Sequence, residues 1–244
     1  MTNQPLSGTT ILITGSARRV GRLLALSAAR AGADIILHHH ASPEAARQTA
    51  DEIQSLGRQC TVFSADLSDL SQVQPFIQKV WENYPFSVLV NNASIFAPLT
   101  MQNTRLSDWQ RHLDLNLTAP FLLSQAFASL MPADGFGRII NMLDWRALRP
   151  GRDHFPYTIS KSALAALTQS LAIDLAPRIT VNGLALGAIL PPSDGMADEK
   201  LLQSVPMRRW AEPGELEQAF LFLLQAPAYI TGEILHVDGG RHLI

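Results

Sequence analysis

A phenol and an ammonium group stand four residues apart in the segment Tyr157-Thr158-Ile159-Ser160-Lys161. Residues i and i+4 share one face of a helix, so the Lys161 ammonium is expected beside the Tyr157 hydroxyl. A neighbouring cation favours the phenolate and would lower the tyrosine pKa from its usual value near 10. A tyrosine of this kind can exchange a proton with a substrate. The alternative is a helix start that carries a surface lysine.

Other polar residues are predicted at the carboxyl ends of strands. Asp144 closes one apolar run shortly before this segment, and Gly15, Asp66 and Asn91 end three others. In a doubly wound sheet, ligands bind in the crevice beyond those ends. The sequence therefore predicts a single site that gathers these residues, although Asp144 could instead cap the turn that follows it.

The elements that must position these residues alternate between strand and helix patterns along the whole chain. Short runs of Ile, Leu and Val, typical of strands buried on both faces of a parallel sheet, are followed by helical patterns. This alternation predicts an α/β, single-domain Rossmann fold over 1–244, with a doubly wound parallel sheet of about seven strands. Strands are predicted at 9–14, 33–40, 59–66, 87–93, 137–143, 178–185 and 233–240, and helices at 20–31, 43–56, 71–83, 107–130, 157–175 and 213–225.

The turn after the first predicted strand reads Thr14-Gly15-Ser16-Ala17-Arg18-Arg19-Val20-Gly21. Backbone N–H groups at a helix N-terminus attract anions, and glycines let the main chain approach a pyrophosphate. Arg18 and Arg19 would oppose the helix dipole unless an anion bound there. A solvated helix start is the alternative, but the position in the first βα turn favours a nucleotide.

The end of the second predicted strand bears on the choice of cofactor. NAD-binding domains usually carry Asp or Glu there to hold the ribose 2′-hydroxyl, whereas this chain reads LHHHAS at 37–42. NADP is favoured, because no carboxylate would repel a 2′-phosphate and several donors stand nearby. A metal site is not predicted, since only His38 and His40 could share a face of the strand.

Composition excludes several other classes of protein. The chain has 244 residues, 47% hydrophobic and 16% charged, with a formal net charge of −2. This charge argues against a nucleic-acid partner, which requires a basic surface. A lone Cys60 cannot form an internal disulfide, and no apolar run reaches the ~18 residues that span a bilayer. Because no secretory signal pattern is visible, a cytoplasmic enzyme or binding domain is expected.

Residues 186–206 depart from the regular alternation. Gly and Pro interrupt this stretch, and it contains no clean strand pattern. An irregular loop of about 20 residues in a compact domain is either functional or mobile. We expect a substrate lid at about 186–206, with a disordered surface loop as the alternative.

Together these motifs resemble the short-chain dehydrogenase/reductase family over essentially the whole chain. The matching pieces are the TG turn at 14–21, Asp66, NNA at 91–93, Asn116, YxxxK at 157–161 and HVDGG at 236–240. By this resemblance Tyr157 is the acid/base, Lys161 holds the nicotinamide ribose and Asn116 supports a water in a proton relay. Asp66 would contact the adenine, and Asn91 would stiffen the central strand or contact the cofactor.

Two departures from the family pattern narrow the resemblance. Arg19 replaces the usual third glycine of the turn, and Asp144 replaces the serine that orients a substrate carbonyl. Both resemble the pteridine reductase branch, as do the segments at 37–42, 91–98 and 139–144. The phosphate segment differs from that branch at Ala41, where arginine is common. NADP preference would then rest on Arg18, His40 and Ser42.

The same resemblance implies two sets of binding residues. Those implied for the substrate are Arg19, Ser94, Phe96, Asp144 and Tyr157, with the phenylalanine stacking a pterin against the nicotinamide. Those implied for the cofactor are Gly15, Arg18, Arg19, Val20, Gly21, His39, His40, Ser42, Asp66, Leu67, Asn92, Ala93, Lys161 and Gly187. Phe96 could instead belong to the core, and Trp145 is expected to be a packing residue.

The activity implied is NADPH-dependent reduction of a 7,8-dihydropterin (dihydrobiopterin, dihydromonapterin or dihydrofolate) to the tetrahydro form. A carboxyl group can pass a proton to the ring nitrogen of a C=N bond or accept ring N–H bonds. Two alternatives stay open: a short-chain carbonyl or 3-oxoacyl reductase, and a protein that senses NADP without turnover. The resemblance also implies a homotetramer, with the helices near 107–130 and 157–175 at one interface.

Overall fold

The computed structural model describes residues 4–191 and 202–244, whose strands form one parallel sheet. The strands are β1 (Thr10–Ile13), β2 (Asp34–His39), β3 (Cys60–Ser64), β4 (Val88–Asn91), β5 (Gly137–Asp144), β6 (Ile179–Leu186) and β7 (Ile234–Val237). They lie in the order β3-β2-β1-β4-β5-β6-β7. The predicted α/β class and seven-strand parallel sheet are thereby confirmed.

Helices cover both faces of this sheet. In the described residues they are α1 (Arg19–Arg30), α2 (Pro43–Ser55), α3 (Leu70–Asn83), α4 (Leu106–Leu113), α5 (Ala119–Leu130), α6 (Phe155–Leu175) and α7 (Pro213–Gln225). Apolar residues of α1, α2 and α7 form one core, and those of α3, α5 and α6 form the other. Successive strand residues point to opposite faces, so Ile11 and Ile13 enter the first core and Leu12 enters the second.

A crevice opens where the strand order reverses, between β1 and β4. Strand β1 pairs with both β2 and β4, so Ile13 lies beside Leu37 on one side and Val90 on the other. Chain connections leave β1 in opposite directions at this point, which is where doubly wound sheets bind ligands. The glycine turn follows β1 directly and Asn92 follows β4 directly. The fold therefore brings both segments to the same crevice.

The helix predicted over 107–130 is divided in the structure, so the prediction of one continuous helix is wrong. A π-helix at Asp114–Thr118 separates α4 from α5. Pro120 has no N–H to give to the carbonyl of Asn116, so regular α-helical bonding is interrupted here. The Asn116 amide also bonds out of the helix to Ile95. Such π-turns occur frequently at functional sites.

The remaining predicted strands and helices match observed ones, and nearly all their ends agree within two residues. Of the predicted lid at 186–206, residues 192–201 lie outside the described part of the chain. The segment just before them approaches the glycine turn, where Arg19 Nη2 donates to the Pro191 carbonyl at 3.0 Å. Among the helices described, none is both long and apolar enough to cross a membrane.

Candidate active site

A cleft of about 940 Å³ lies at the carboxyl ends of the central strands, where the sequence predicts the site. It gathers Asp144 from the end of β5 with Tyr157 and Lys161 from the start of α6. The predicted site residues that line it are Gly15, Arg18, Arg19, Val20, Gly21, His40, Ser42, Asp66, Leu67, Asn92, Ala93, Ser94, Phe96, Asp144, Tyr157, Lys161 and Gly187. The predicted residues outside this lining are Asn116, His39 and Asn91. Asn91 is buried, and its Nδ2 donates to Asn141 Oδ1 on the neighbouring strand at 2.8 Å.

Tyr157 and Asp144 are joined by a hydrogen bond in this cleft. The tyrosine hydroxyl donates to Asp144 Oδ2 at 3.1 Å. Lys161 follows one helical turn later, and its Nζ donates to the main-chain carbonyl of Met142 at 2.6 Å. The same Nζ lies 5.8 Å from the centre of the Tyr157 ring. The phenol, the carboxyl and the ammonium group therefore converge at the end of β5.

The direction of the Tyr157 pKa shift corrects the expectation from sequence. Burial, the negative charge of Asp144 and the hydrogen bond to it raise the tyrosine pKa well above its usual value. Lys161 does not lower that pKa, because its ammonium bonds to the Met142 carbonyl and not to the phenol. Burial lowers the pKa of Lys161 to about 8, while the charge of Asp144 opposes this shift. Tyr157 is therefore a neutral phenol at neutral pH, with a proton to give.

Asp144 is also fixed by the turn that follows it. Its Oδ1 accepts from the Arg146 backbone N–H at 2.9 Å and lies 3.6 Å from Arg146 Nη1. A short 3₁₀ helix, Trp145–Ala147, begins at this point, so the carboxylate caps the turn and contacts the tyrosine at once. Arg146 Nη2 in turn pairs with Asp153 Oδ2 at 2.7 Å. Contacts on both oxygens hold the carboxylate in one orientation.

Phe96 carries an aromatic surface into the cleft. The residue is 54% exposed, and one face of its ring stacks on His154, with centroids 3.7 Å apart and planes 10° apart. Tyr157 meets the ring in a T-shaped contact at 4.7 Å. His154 has a left-handed backbone (φ 51°), uncommon for a residue other than glycine, and its Nδ1 donates to the Ala97 carbonyl at 2.8 Å. The supported ring suits stacking on a flat heterocycle.

The Asn116 side chain is enclosed by protein groups next to the cleft. It is fully buried, and its Oδ1 accepts from the Ile95 N–H at 2.9 Å and from the Ser94 hydroxyl at 3.1 Å. Its Nδ2 donates to the Ile95 carbonyl at 3.1 Å and to the Ser160 hydroxyl at 3.0 Å. All four hydrogen-bonding positions of the amide are occupied by protein groups. Its side chain therefore fastens the loop after β4 to α6, and the part expected of Asn116 in a proton relay stays a prediction.

The turn after β1 is shaped for close approach of a ligand to the main chain. Gly15 is left-handed, with φ +64°. A Cβ on Gly21 would lie 2.3 Å from the Gly15 carbonyl oxygen and 2.6 Å from Asn92 Nδ2. The Asn92 amide donates to the carbonyls of Thr14 and Gly15 at 2.8 and 3.0 Å. With the N-terminus of α1 at the cleft, the residues present fit the phosphates of a dinucleotide.

His38 supports this turn from beneath, a role that sequence reasoning missed. The Gly15 N–H donates to His38 Nδ1 at 3.0 Å, and His38 Nε2 donates to the Ala65 carbonyl at 3.1 Å. Burial is the main cause that lowers the pKa of this imidazole to about 4. The neutral ring is thus the form that bridges β2, β3 and the glycine turn. Its place next to two other histidines gave no local signal of this contact.

Arg18 and Ser42 are hydrogen-bonded to each other beside the end of β2, where a 2′-phosphate is expected. His40 lies nearby, with its Nδ1 3.9 Å from Asp66 Oδ1. The Ser68 hydroxyl holds the pKa of Asp66 below its usual range. His39 is buried outside the cleft lining, and its Nδ1 accepts from the Ser42 N–H at 3.4 Å. The expected contact between His39 and the cofactor therefore stays a prediction.

Several cleft residues were not singled out from the sequence. Trp145, expected to be a packing residue, lines the cleft. The Cζ atoms of Arg146 and Arg241 lie 4.7 and 4.2 Å from the centre of its ring. His154 lines the cleft as well. Trp145 and Arg146 could have been suspected, because they directly follow a strand end. The contacts of His154 and Arg241 are long-range and leave no local pattern.

The parallel sheet, the glycine turn at the switch point and the Tyr157–Lys161 pair define a class of dinucleotide-dependent oxidoreductase. The profile of a family described as enoyl-(acyl carrier protein) reductase matches residues 15–242. A 3-oxoacyl-[acyl-carrier-protein] reductase from Synechocystis sp. is 32% identical over 96% of this chain and 97% of its own length. The chain belongs to the short-chain dehydrogenase/reductase family and is an oxidoreductase of that family.

Individual relatives differ in the activities that their names state. A 2-dehydro-3-deoxy-D-gluconate 5-dehydrogenase from Bacillus subtilis is 33% identical over 96% of this chain and 95% of its own. Among solved structures, FolM alternative dihydrofolate reductase 1 from Brucella canis, complexed with NADP, matches with a TM-score of 0.89. It is 32% identical, with 97% of this chain and 95% of that chain covered. NADP in that structure agrees with the cofactor predicted from the sequence.

Proposed function

We propose that the protein uses NADPH to reduce a 7,8-dihydropterin to the tetrahydro form. The observation that carries this proposal is the hydrogen bond from Tyr157 to Asp144 Oδ2. A carbonyl substrate needs a neutral hydroxyl donor beside its oxygen, and a carboxylate in that place would repel it. A dihydropterin instead presents ring N–H groups, which a carboxylate accepts.

The chain supplies the proton of this reduction, and bound NADPH supplies the hydride. Hydride adds to C6 of the C6=N5 bond, while Tyr157 gives its hydroxyl proton to N5, directly or through a water molecule. The tyrosinate that results takes a proton back from solvent, which restores the neutral phenol. Asp144 accepts hydrogen bonds from the N–H groups of the pterin ring. The raised tyrosine pKa keeps the donor protonated before each turnover.

Other residues bind and orient the two ligands. Lys161 would hold the nicotinamide ribose, and Arg18 with Ser42 would bind the 2′-phosphate of NADP. Phe96, supported from behind by His154, would stack on the pterin ring. Aromatic stacking excludes water from the reacting bond and fixes the ring relative to Tyr157.

A second candidate function is reduction of a 3-oxoacyl thioester. It is favoured by the Synechocystis relative, whose name states that activity and which covers nearly the whole chain. A third possibility is NADP binding without turnover. The buried Tyr157 and Lys161 argue against it, because burying two ionisable groups is costly in a protein that has no use for them.

A panel of substrates distinguishes these functions. Dihydrobiopterin, dihydromonapterin, dihydrofolate and an acetoacetyl thioester are each incubated with the enzyme and NADPH, and the loss of NADPH absorbance is followed. We expect kcat/KM for at least one dihydropterin to exceed that for the thioester at least about 100-fold. Turnover of the thioester alone would replace the proposal with the second function. NADPH binding without any turnover would favour the third.

We also propose that the protein assembles as a homotetramer through α4, α5 and α6. Apolar side chains stand exposed on these helices, among them Leu106 (80%), Phe121 (38%) and Ile173 (83%). Contiguous exposed apolar surface marks interfaces, and we propose that these side chains belong to one such surface. Light scattering should give four times the chain mass of 26.7 kDa. A single-chain mass at micromolar concentration would contradict the assembly.

A further inference from the structure

Two arginines contact the indole of Trp145 at the substrate end of the cleft. The Cζ of Arg146 lies 4.7 Å from the Trp145 ring, and the Cζ of Arg241 lies 4.2 Å from it. All three residues line the cleft, and Asp144 directly precedes the tryptophan. The arginine pair therefore lines the substrate end of the cleft, beyond Asp144.

The two arginines differ in how their charges are satisfied. Arg146 is paired with Asp153 and lies near Asp144. Arg241, in the part of the chain that the structure describes, forms no side-chain hydrogen bond and no ion pair, and its Nε is buried without a partner. The carboxylates of Asp144, Asp153 and Asp238 act on this cation only without direct pairing. A partly buried cation that lacks a hydrogen-bonded counterion is costly, because the lost hydration is not fully replaced. An anion at this position would remove that cost.

Arg241 is held in place by its backbone. It begins the short 3₁₀ helix Arg241–Leu243, which follows β7 and packs on the turn Trp145–Ala147. Asp238 fixes that helix, since its carboxylate accepts from the Gly240 N–H at 2.9 Å and the His242 N–H at 2.8 Å. The guanidinium is therefore pre-positioned at the cleft, which reduces the entropy lost when an anion binds.

We propose that Arg241 binds an anionic group on the substrate, at the end remote from the reacting ring. This inference rests on the proposed reductase function of the same cleft. The group is a carboxylate or a phosphate, since the planar fork of arginine recognises both. In a dihydropterin it would be the glutamyl carboxylate of dihydrofolate. In a 3-oxoacyl substrate it would be the phosphate of the phosphopantetheine arm.

The test compares charged and neutral substrates in the wild-type enzyme and in Arg241→Gln. We expect the substitution to raise KM for dihydrofolate at least about ten-fold, the loss expected for one charge-assisted hydrogen bond. KM for dihydrobiopterin, whose side chain is neutral, should change less than about two-fold. For a thioester reductase, the matched pair is acetoacetyl-CoA and acetoacetyl-N-acetylcysteamine, with the same expected pattern. Added salt should raise KM only for the anionic substrates.

The control is Arg178→Gln, which removes the same charge far from the cleft. Arg178 directly precedes β6 and so lies at the amino ends of the strands, whereas the cleft lies at their carboxyl ends. This control should leave the ratio between charged and neutral substrates unchanged. Equal losses on charged and neutral substrates in Arg241→Gln would mean that Arg241 only supports Trp145, and would overturn the inference. No change on either substrate would overturn it as well.

Failure of the proposed function is distinguishable from failure of this inference. Calorimetry on the NADP complex can measure binding of p-aminobenzoylglutamate, the tail of dihydrofolate alone, with p-aminobenzamide as the uncharged comparison. Binding of the acid by the wild-type protein and its loss in Arg241→Gln would support the anion site, even if no dihydropterin is reduced. Absence of binding together with equal KM values would refute it.

Discussion

The Tyr157 hydroxyl, which donates a hydrogen bond to Asp144, is the proton donor of the proposed reduction. Replacing the hydroxyl in Tyr157→Phe removes the donor and leaves the ring that contacts Phe96. We expect kcat to fall at least ~100-fold, the usual contribution of a general acid, while Kd for NADPH stays within about three-fold. Stopped-flow and steady-state assays measure both quantities. Tyr84→Phe, at an exposed tyrosine outside the cleft lining, is the matched control. A loss under ten-fold in Tyr157→Phe would exclude it as the acid.

His38 should make the stability of the protein depend on pH. Its pKa is about 4 in the folded chain and 6.5 when unperturbed, so the unfolded chain takes up a proton first as pH falls. Stability from this group is complete above pH 6.5 and is lost on acidification towards pH 4, by about 3 kcal/mol. Urea unfolding at pH 7, 5.5 and 4.5 measures it. His38→Gln keeps a donor and an acceptor but does not titrate, so its free energy of unfolding should fall less. Parallel curves for the two proteins would contradict the assignment.

At the level of secondary-structure elements, the glycine turn is the part least tolerant of added atoms. A methyl group on Gly21 would overlap the Gly15 carbonyl and the Asn92 amide, so α1 would have to move away from β1. Gly21→Ala should raise Kd for NADPH at least about ten-fold and lower the free energy of unfolding by about 1–3 kcal/mol. In Gly214→Ala, the new Cβ would lie 3.7 Å from Gln218 Nε2, an ordinary contact distance. That control should bind NADPH normally. Equal Kd values for both variants would show that the turn does not approach the cofactor.

Strands and most helices were predictable because their apolar periods are local properties of the sequence. The helix over 107–130 was not, since the π-helix at Asp114–Thr118 depends on bonds between Asn116 and Ile95, which are distant in sequence. The apolar pattern continues through this break, and Pro120 is a local sign of it that the periodicity alone does not show. The parallel sheet predicted from the sequence also placed Asp144 in the crevice, because parallel strands present their carboxyl ends on the same side. Tyr157 joins it there because α6 follows β5.

The contacts that sequence reasoning missed share a physical origin. His154, His38 and Arg241 act through partners in other elements: a ring, a glycine N–H and an indole. No local period or motif encodes such contacts. The predicted pKa of Tyr157 failed for the same reason, since the helical spacing to Lys161 was correct but the ammonium is bonded to a carbonyl of β5.

In the molecule as a whole, the glycine turn, Tyr157 and the ring of Phe96 meet at the carboxyl ends of the strands. Helices cover both faces of the sheet. The cleft is continuous from Arg18 and Ser42 to Trp145, so one cavity can hold cofactor and substrate end to end. The names of relatives state different substrates, and our proposal attributes the choice of a pterin by this chain to Asp144.

The most direct test compares substrates in the wild-type enzyme and in Asp144→Ser. The measured quantity is the ratio of kcat/KM for dihydrobiopterin to kcat/KM for an acetoacetyl thioester. Serine restores a neutral hydroxyl donor and removes the acceptor for ring N–H groups, so the ratio should fall at least ~100-fold. An unchanged ratio, in a variant that still binds NADPH, would contradict the role assigned to Asp144 and with it the choice of a pterin substrate.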